Sequence, residues 1–126
     1  MPSKNVVIIG AGGVGYNLAL NMISEGKNVF MIEKDPDRCA MVERNLDARV
    51  IQGNAANIDI QRKAQMDKAD ICIVITDIDE VNMLASITAK GLMKEGKTVI
   101  CRVSNPDYIS APISYEPRFQ RLGIDI

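Results

Sequence analysis

A glycine-rich segment near the N-terminus, Gly10 to Gly15, has the residue types and spacing of a phosphate-binding turn. Its sequence, Gly-Ala-Gly-Gly-Val-Gly, fits the pattern GxGxxG, and it joins a β-branched run to a helical pattern. In such turns Gly10 would permit the tight bend, Gly12 would let the backbone approach a pyrophosphate, and Gly15 would let the helix pack closely on the sheet. The free N–H groups at the helix start would face the phosphates. The segment therefore predicts a dinucleotide or adenine-nucleotide site.

An acidic residue lies where such a site needs a partner for the ribose. Glu33 ends the second predicted strand, 18 positions beyond Gly15. A carboxylate there can accept hydrogen bonds from both ribose hydroxyls, and it would repel a 2′-phosphate. This predicts NAD(H) rather than NADP(H) as the ligand. Two alternatives stay open: Glu33 is a solvated strand end, or the neighbouring Lys34 provides a cation for a 2′-phosphate.

Two short polar segments follow later strands and would reach the same edge of the sheet. Gly53-Asn54-Ala55 comes after the third predicted strand, and Thr76-Asp77 comes after the fourth. In doubly wound sheets, ligands bind at the carboxyl ends of the strands, where the strand order reverses. The first segment would then line the adenine side, and the second would lie beside the glycine loop. Gly, Asn and Asp are also common in plain turns, so the two interpretations stand equal.

The sequence lacks a recognisable arrangement of catalytic residues. It contains no histidine, the commonest general acid–base group. Tyr108 and Tyr115 are followed four positions later by Pro112 and Phe119, so neither forms the Tyr-x-x-x-Lys pair of short-chain dehydrogenases. The glycine loop lacks the Gly-Lys-Ser/Thr ending of a P-loop, and no Cys, Asp and Glu group has metal-ligand spacing. We therefore expect nucleotide binding without turnover, in a protein that is not an enzyme.

The composition fits one domain of ordinary size in a reducing compartment. The chain has 126 residues, 47% of them hydrophobic, and a formal net charge of -1, a balance that disfavours nucleic-acid binding. Cys39, Cys72 and Cys101 are odd in number and share no CxxC spacing, which indicates packing residues rather than redox or metal chemistry. No run approaches the roughly 18 apolar residues of a membrane span. We expect no direct membrane insertion.

The elements that must position these residues alternate between strand and helix. Helices are predicted over 13–25, from the Asp35 cap to Asn45, over 57–66, and over 79–95, the last with one apolar side. That apolar side would comprise Val81, Leu84, Ile87, Thr88 and Leu92. The predicted strands are 6–9, 29–32, 49–52, 71–75 and 98–103.

The remainder of the chain is predicted to be less regular. Pro106, Pro112 and Pro117 interrupt it, and a short helix over 118–122 and a strand from Ile124 follow. Alternating strands and helices with short connections indicate a parallel sheet covered on both faces. The predicted fold class is α/β, a Rossmann-type doubly wound parallel sheet forming a single domain over residues 1–126.

A set of segments along nearly the whole chain, from about residue 5 to 126, resembles the N-terminal RCK domain of TrkA-type proteins. The most specific is the run from Thr76 to Met83, Thr-Asp-Ile-Asp-Glu-Val-Asn-Met. The other matching segments are Gly10–Gly15, Glu33, Gly53-Asn54-Ala55, Ala69-Asp70, Arg102-Val103, Asn105-Pro106 and Arg121–Ile126.

The resemblance implies a cytosolic regulatory subunit of a potassium channel or transporter. Such subunits bind NAD(H) or adenine nucleotides, assemble as dimers or larger rings, and lie under a membrane-embedded pore-forming partner. By this likeness Glu33 would hold the adenosine ribose, and Thr76, Asp77 and Arg102 would line the remaining face of the pocket. The pyrophosphate would be held by the backbone of Gly10, Ala11, Gly12, Gly13 and Val14.

Three departures from the family pattern bear on the ligand and on the extent of the protein. Asn54 stands where the family commonly has Asp, so this side chain carries no charge. Relatives that switch between ATP and ADP often have Arg in the glycine loop, where this chain has Gly13 and Val14. NAD(H) is therefore expected over ATP or ADP. Family members usually carry a second, C-terminal ligand-binding domain, so we expect the chain that ends at Ile126 to be a fragment or a stand-alone half.

Three functions fit these observations to different degrees. The first is a nucleotide-sensing regulatory module for potassium uptake, which shifts a pore-forming partner by conformational change. The second is the cofactor domain of an NAD-dependent dehydrogenase whose substrate domain is absent. The third is an adenine-nucleotide sensor with no link to ion transport. The first is our prediction.

Overall fold

The computed structural model describes residues 3–110 and 114–126, which alternate between strands and helices along most of the chain. A 3-10 turn, Met66–Lys68, follows the third helix. The strands are β1 (Asn5–Ile9), β2 (Asn28–Glu33), β3 (Arg49–Gln52), β4 (Ile71–Val74), β5 (Thr98–Cys101) and β6 (Ile124–Asp125). The helices are α1 (Gly13–Ser24), α2 (Pro36–Asn45), α3 (Ile58–Lys63), α4 (Asp79–Leu92), α5 (Pro106–Ile109) and α6 (Glu116–Arg121).

The six strands form one parallel sheet in the order β3-β2-β1-β4-β5-β6. The central strand β1 pairs with β2 on one side, where Val6 lies opposite Val29, and with β4 on the other, where Val6 lies opposite Ile71. The strand order therefore reverses between β1 and β4. In this topology the carboxyl ends of β1 and β4 diverge and leave a crevice for a ligand.

Helices cover both faces of the sheet, because alternate side chains of β1 enter two separate hydrophobic clusters. Val6 and Ile8 belong to the cluster beneath α1 and α2, and Val7 and Ile9 belong to the cluster beneath α3, α4 and α6. All four side chains are at most 1% exposed, and burying a side chain of this size contributes roughly 1.5–3 kcal/mol. The predicted α/β fold, a Rossmann-type doubly wound sheet, is confirmed.

The long helix α4 differs from the prediction in its end and in its buried face. It ends at Leu92 rather than Glu95, because Met93 has an extended backbone. The face turned to the sheet carries Asn82, Met83, Ala85, Ser86 and Ala89, whereas Leu84 and Ile87 are 55% and 44% exposed. The predicted apolar side is therefore wrong at these two positions. Small residues let α4 approach the sheet closely, and one buried amide breaks the apolar pattern.

Smaller differences occur at five other elements. The third helix ends at Lys63 rather than Met66, because Gln65 has a left-handed backbone with φ 58°. Pro106 begins the unpredicted helix α5, with Asn105 accepting a hydrogen bond from the Asp107 N–H. Pro117 lies in the first turn of α6, which begins two residues and ends one residue earlier than predicted. The strands β4 and β5 end at Val74 and Cys101, earlier than predicted, and Pro112 lies outside the described residues.

Candidate functional site

A cleft of about 580 Å³ opens at the carboxyl ends of β1 to β4, and we call it the carboxyl-end cleft. It brings together eight of the thirteen residues that the sequence proposed for the site. These are Gly10, Gly12, Glu33, Gly53, Asn54, Ala55, Thr76 and Asp77. The other lining residues are Ile32, Lys34, Arg38, Gln52, Ile75, Ile78 and Val81. The proposed residues outside the lining are Ala11, Gly13, Val14, Gly15 and Arg102.

The glycines of the first loop have different structural reasons to be glycine. Gly10 has φ +108°, and a Cβ there would lie 3.0 Å from the carbonyl of Ile75. A Cβ on Gly15 would collide with the carbonyl oxygen of Gly10, so Gly15 allows α1 to start against the strand end. A Cβ on Gly12 would meet only the guanidinium of Arg38, at 3.7 Å. Gly10 and Gly15 are therefore needed for the turn itself, while Gly12 leaves space open within the cleft.

The start of α1 presents backbone rather than side chains to its surroundings. Gly12 is the N-cap residue, and no side chain caps the helix. The first N–H groups of a helix have no carbonyl partner within it, and here they lie beside the open space at Gly12. Gly13 and Val14 are exposed, with the Val14 side chain outside the cleft. This arrangement of glycine backbone, free N–H groups and helix dipole suits a bridged diphosphate.

Glu33 lies at the end of β2, buried to 7% exposure, and its carboxylate organises the glycine loop. Its Oε1 accepts a hydrogen bond from the N–H of Ala11 at 2.8 Å, and its Oε2 accepts one from the N–H of Asp35 at 2.9 Å. A carboxylate oxygen has two acceptor sites, so each oxygen keeps acceptor capacity toward the cleft. Glu33 is therefore not the solvated strand end that was the alternative interpretation.

The segment after β3 combines a packing requirement with a turn. A Cβ on Gly53 would lie 2.5 Å from Cδ1 of Ile60, so glycine is required beneath α3. Asn54 is exposed, and its Oδ1 accepts a hydrogen bond from the N–H of Ala56 at 2.9 Å. Asn54 therefore shapes a turn and also lies in the lining of the cleft.

The wall of the cleft after β4 is held by Asn82, a residue to which the sequence assigned no role. Asn82 is fully buried on α4, and its Oδ1 accepts hydrogen bonds from the Thr76 N–H at 3.0 Å and the Thr76 hydroxyl at 2.5 Å. Its Nδ2 donates to the carbonyls of Thr76 and Arg102, each at 3.0 Å. One amide thus joins the ends of β4 and β5. A polar residue inside an otherwise buried helix face is the sequence signal for such a role.

Arg102 lies behind this wall rather than in the cleft lining. Its Nη2 donates to the carbonyl of Thr76 at 2.7 Å and lies 3.4 Å from Oδ1 of Asp77. The Asp79 carboxylate accepts hydrogen bonds from the N–H groups of Ser104 and Asn105 at 2.9 and 2.7 Å. The start of α4 is therefore attached to the segment after β5, and Arg102 supports the wall from outside.

Arg38 is the second residue that sequence reasoning missed. It lies in the first part of α2, lines the carboxyl-end cleft, and places its Nη1 3.8 Å from Oε1 of Glu33. Its position follows from the helix start, because the Asp35 side chain caps α2 by accepting from the Asp37 N–H at 2.8 Å. The sequence signal for this role is a basic residue in the first turn of the helix that comes after the strand ending at Glu33.

The three cysteines are buried, as predicted for packing residues. Burial raises the pKa of the Cys39, Cys72 and Cys101 thiols above the ordinary value, which keeps them protonated and poorly nucleophilic. Residues 3–110 and 114–126 contain no cluster of three or more Cys, Asp or Glu side chains that could hold a metal ion. Within the same residues, no helix is both long and apolar enough to cross a membrane.

Residues 6–126 match the family described as the TrkA-N domain. A curated relative, the "Trk system potassium uptake protein TrkA homolog" of Archaeoglobus fulgidus, is 42% identical over 121 residues. That alignment covers 96% of this chain and 26% of the relative. The chain thus spans about a quarter of the relative's length.

Solved structures share the fold at low sequence identity. The TrkA-N domain of the inner membrane protein ybaL from Escherichia coli superposes with a TM-score of 0.80 at 18% identity, covering 99% of this chain and 87% of that one. The GsuK channel bound to NAD gives 0.73 at 14% identity, covering 98% of this chain and 21% of that one. GsuK bound to ADP gives 0.74 at 14% identity, covering 98% and 31%.

Proposed function

The chain belongs to the TrkA-N domain family, and on this premise we propose that it is the nucleotide-sensing module of a Trk-type potassium uptake system. Residues 1–126 would form its N-terminal RCK domain, a single NAD-binding domain. It would bind NAD(H) and, by changing conformation, gate a membrane-embedded pore-forming partner. The family membership supports the potassium system, and the carboxyl-end cleft supports the ligand.

The observation that carries the ligand assignment is the pairing of Gly12 and Glu33 in one cleft. Gly12 lines the cleft and has no Cβ, so a ligand can approach the free N–H groups of α1 there. Glu33 keeps acceptor capacity on both carboxylate oxygens at the same edge of the sheet. Together they match the pyrophosphate and the ribose of an adenine dinucleotide.

The remaining contacts would come from both ends of the cleft. The backbone of Gly10, Ala11, Gly12, Gly13 and Val14 would hold the pyrophosphate, and Gly15 would keep α1 close to it. The adenine side would be formed by Gly53, Asn54 and Ala55. The opposite side would be formed by Thr76 and Asp77, with Arg102 supporting them.

NAD(H) is the proposed ligand, and ATP or ADP is the weaker candidate. The loop has Gly13 and Val14 and carries no cation for a terminal phosphate. The GsuK channel, which shares the fold, has been solved with NAD, and GsuK has also been solved with ADP. Calorimetry with both classes of ligand decides between them.

The regulatory mechanism would be thermodynamic linkage between two arrangements of packed domains. A ligand shifts such an equilibrium only by its difference in affinity for the two arrangements. We propose a cytoplasmic protein that self-associates as a dimer or larger ring and meets the inner face of the cell membrane through its partner. It would not be an enzyme, and it would contact neither nucleic acid nor the lipid interior directly.

Calorimetry with NAD, NADH, NADP, ATP and ADP tests the ligand assignment. We expect NAD or NADH to bind more tightly than NADP, ATP or ADP. Failure of every adenine nucleotide to bind at millimolar concentration would overturn the proposal. Reproducible oxidation of NADH with a panel of small carbonyl compounds would instead favour the dehydrogenase alternative.

A further inference from the structure

We propose that Arg38 is a ligand-contacting residue that binds the phosphate attached to the adenosine ribose, and so selects phosphorylated over unphosphorylated adenosines. The inference rests on the proposed function, because it assumes that an adenine nucleotide occupies the carboxyl-end cleft. It adds a cationic contact on α2 to the backbone N–H groups proposed for the phosphates and the Glu33 carboxylate proposed for the ribose.

The position of the guanidinium between two predicted ligand contacts is the first argument. Nη1 of Arg38 lies 3.8 Å from Oε1 of Glu33, where the ribose hydroxyls would bind. The same Nη1 would lie 3.7 Å from a Cβ on Gly12, where the backbone leaves space for the pyrophosphate. In an adenine nucleotide, the group between the ribose and the second phosphate is the 5′-phosphate. Arg38 is therefore placed for that phosphate.

The weak attachment of Arg38 to Glu33 is the second argument. A separation of 3.8 Å is longer than a hydrogen bond, and the Arg38 side chain is 46% exposed. The Glu33 carboxylate is already held by the N–H groups of Ala11 and Asp35. Glu33 therefore does not need Arg38 to keep its position, and the guanidinium can turn toward a ligand without breaking a hydrogen bond.

The chemistry of the guanidinium is the third argument. Arg presents a planar fork of N–H donors that matches two phosphate oxygens, and it stays charged at any physiological pH. The glycine loop contributes only neutral N–H groups, and Glu33 adds a negative charge nearby. Asp77 lies 3.4 Å from the Arg102 guanidinium, and Lys34 also lines the cleft, so the negative charge that a dianionic pyrophosphate would meet beside the glycine loop is that of Glu33. Arg38, 3.8 Å from Glu33, offsets this charge next to the phosphate.

The test measures the affinities of NAD, ADP, NADP and adenosine by calorimetry, with adenosine measured by competition against NAD. The variants are R38Q, R38K and the control R62Q, whose arginine lies on α3 outside the cleft lining. Loss of one charge-assisted hydrogen bond weakens binding by about tenfold or more. We expect R38Q to lower the affinities for NAD and ADP by similar factors and R38K to restore part of the loss. The affinity of R38Q for adenosine should equal that of the wild type. The control R62Q should bind all four ligands like the wild type.

Different failures have different meanings in this experiment. If R38Q binds NAD like the wild type, Arg38 does not contact the ligand. If R38Q lowers the affinity for NADP alone, the guanidinium contacts the 2′-phosphate. If R38Q lowers the affinity for adenosine as much as that for ADP, the guanidinium contacts the sugar or the base. Each of these results overturns the inference. If the wild type binds no adenine nucleotide, the proposed function itself has failed, and thermal unfolding of all four proteins separates these outcomes from misfolding.

Discussion

The N–H of Ala11 donates a hydrogen bond to the carboxylate of Glu33 at 2.8 Å, so the residue proposed to hold the ribose also holds the phosphate loop. The two parts of the site are therefore coupled by one buried hydrogen bond across 22 positions of sequence. A change at Glu33 affects both the shape of the loop and the selection of the sugar, and these two effects need separate measurements.

Replacement of Glu33 by Gln or Ala is expected to lower both stability and ligand selection. The N–H groups of Ala11 and Asp35 lose their acceptor in Glu33→Ala, which costs about 1–3 kcal/mol of unfolding free energy. We expect NAD affinity to fall by about tenfold or more. Urea denaturation and calorimetry measure the two effects, with E43Q on the exposed side of α2 as the control.

The preference for NAD over NADP distinguishes sugar binding from loop support. A carboxylate repels a 2′-phosphate and an amide does not, so E33Q should lose this preference while both ligands weaken. A purely structural role would lower both affinities by the same factor and leave the preference intact. Unchanged NAD binding in Glu33→Ala would remove the ribose assignment.

Alanine substitutions at Gly12 and Gly15 are expected to separate binding from folding. In G15A the new methyl group collides with the carbonyl of Gly10, and the unfolding free energy should fall by at least the ~1–3 kcal/mol typical of overpacking. In G12A the methyl group makes only an ordinary contact with the Arg38 guanidinium at 3.7 Å, so stability should change by less than about 1 kcal/mol. NAD binding should nevertheless be lost in G12A.

The matched control for this pair is G91A, because a Cβ on Gly91 meets nothing within 4 Å and the residue lies on α4 outside the cleft lining. It should not lower the thermal midpoint, and it should leave NAD affinity unchanged. A G12A protein that binds NAD as tightly as the wild type would show that the ligand does not approach this backbone.

Asn82→Ala is expected to loosen the wall formed by Thr76 and Asp77. The substitution leaves the Thr76 N–H and the Arg102 carbonyl without their buried amide partner, which should cost about 3 kcal/mol. The Thr76 carbonyl keeps its hydrogen bond from Arg102. Amide hydrogen exchange at Thr76 should accelerate relative to the centre of β4. The control N45A removes an exposed amide at the end of α2. Exchange at Thr76 as slow as in the wild type would contradict this role of Asn82.

Acid should abolish the contribution of Asp70 to stability. The Lys97 ammonium, at 2.8 Å, and the Asn5 N–H both hold the pKa of Asp70 below its ordinary value of 3.8. A lowered pKa in the folded state stabilises the protein above the unfolded pKa, and this contribution is lost as pH falls through the folded pKa.

The D70N variant measures this contribution directly. It should unfold at lower urea concentration than the wild type at pH 7, and the difference should shrink as the pH falls below about 4. The control D47N removes an exposed carboxylate for which no hydrogen bond is found among the described residues. A difference between D70N and wild type that stays constant down to pH 2 would contradict the linkage.

The strands and the first two helices could be predicted because their causes are local. The β-branched runs of β1 and β4 are buried on both faces, and the limits of β3 match the prediction. The limits of α2 also match, because Asp35 caps the helix and Pro36 begins it. Each of these signals lies within a few residues of the feature that it determines.

The missed features depend on contacts between distant segments. The buried face of α4 differs from the prediction because Asn82 is polar and most other helix residues that face the sheet are small. The large apolar residues of the helix therefore indicated a side that is partly exposed. Asn82 has its partners at the ends of two different strands. The position of Arg38 beside Glu33 and Gly12 depends on how α2 packs against the glycine loop. Periodicity within a single helix contains no information about these contacts.

The purely parallel sheet has a consequence for how the site first forms. No strand pairing here can be closed by a hairpin, and the central strand β1 pairs with β4 only after the intervening half of the domain has been synthesised. Such non-local topology slows folding. Because its walls follow four different strands, the cleft is complete only when all four strands have paired. A nucleotide that binds only the completed cleft would then draw newly made chains into the native state by mass action.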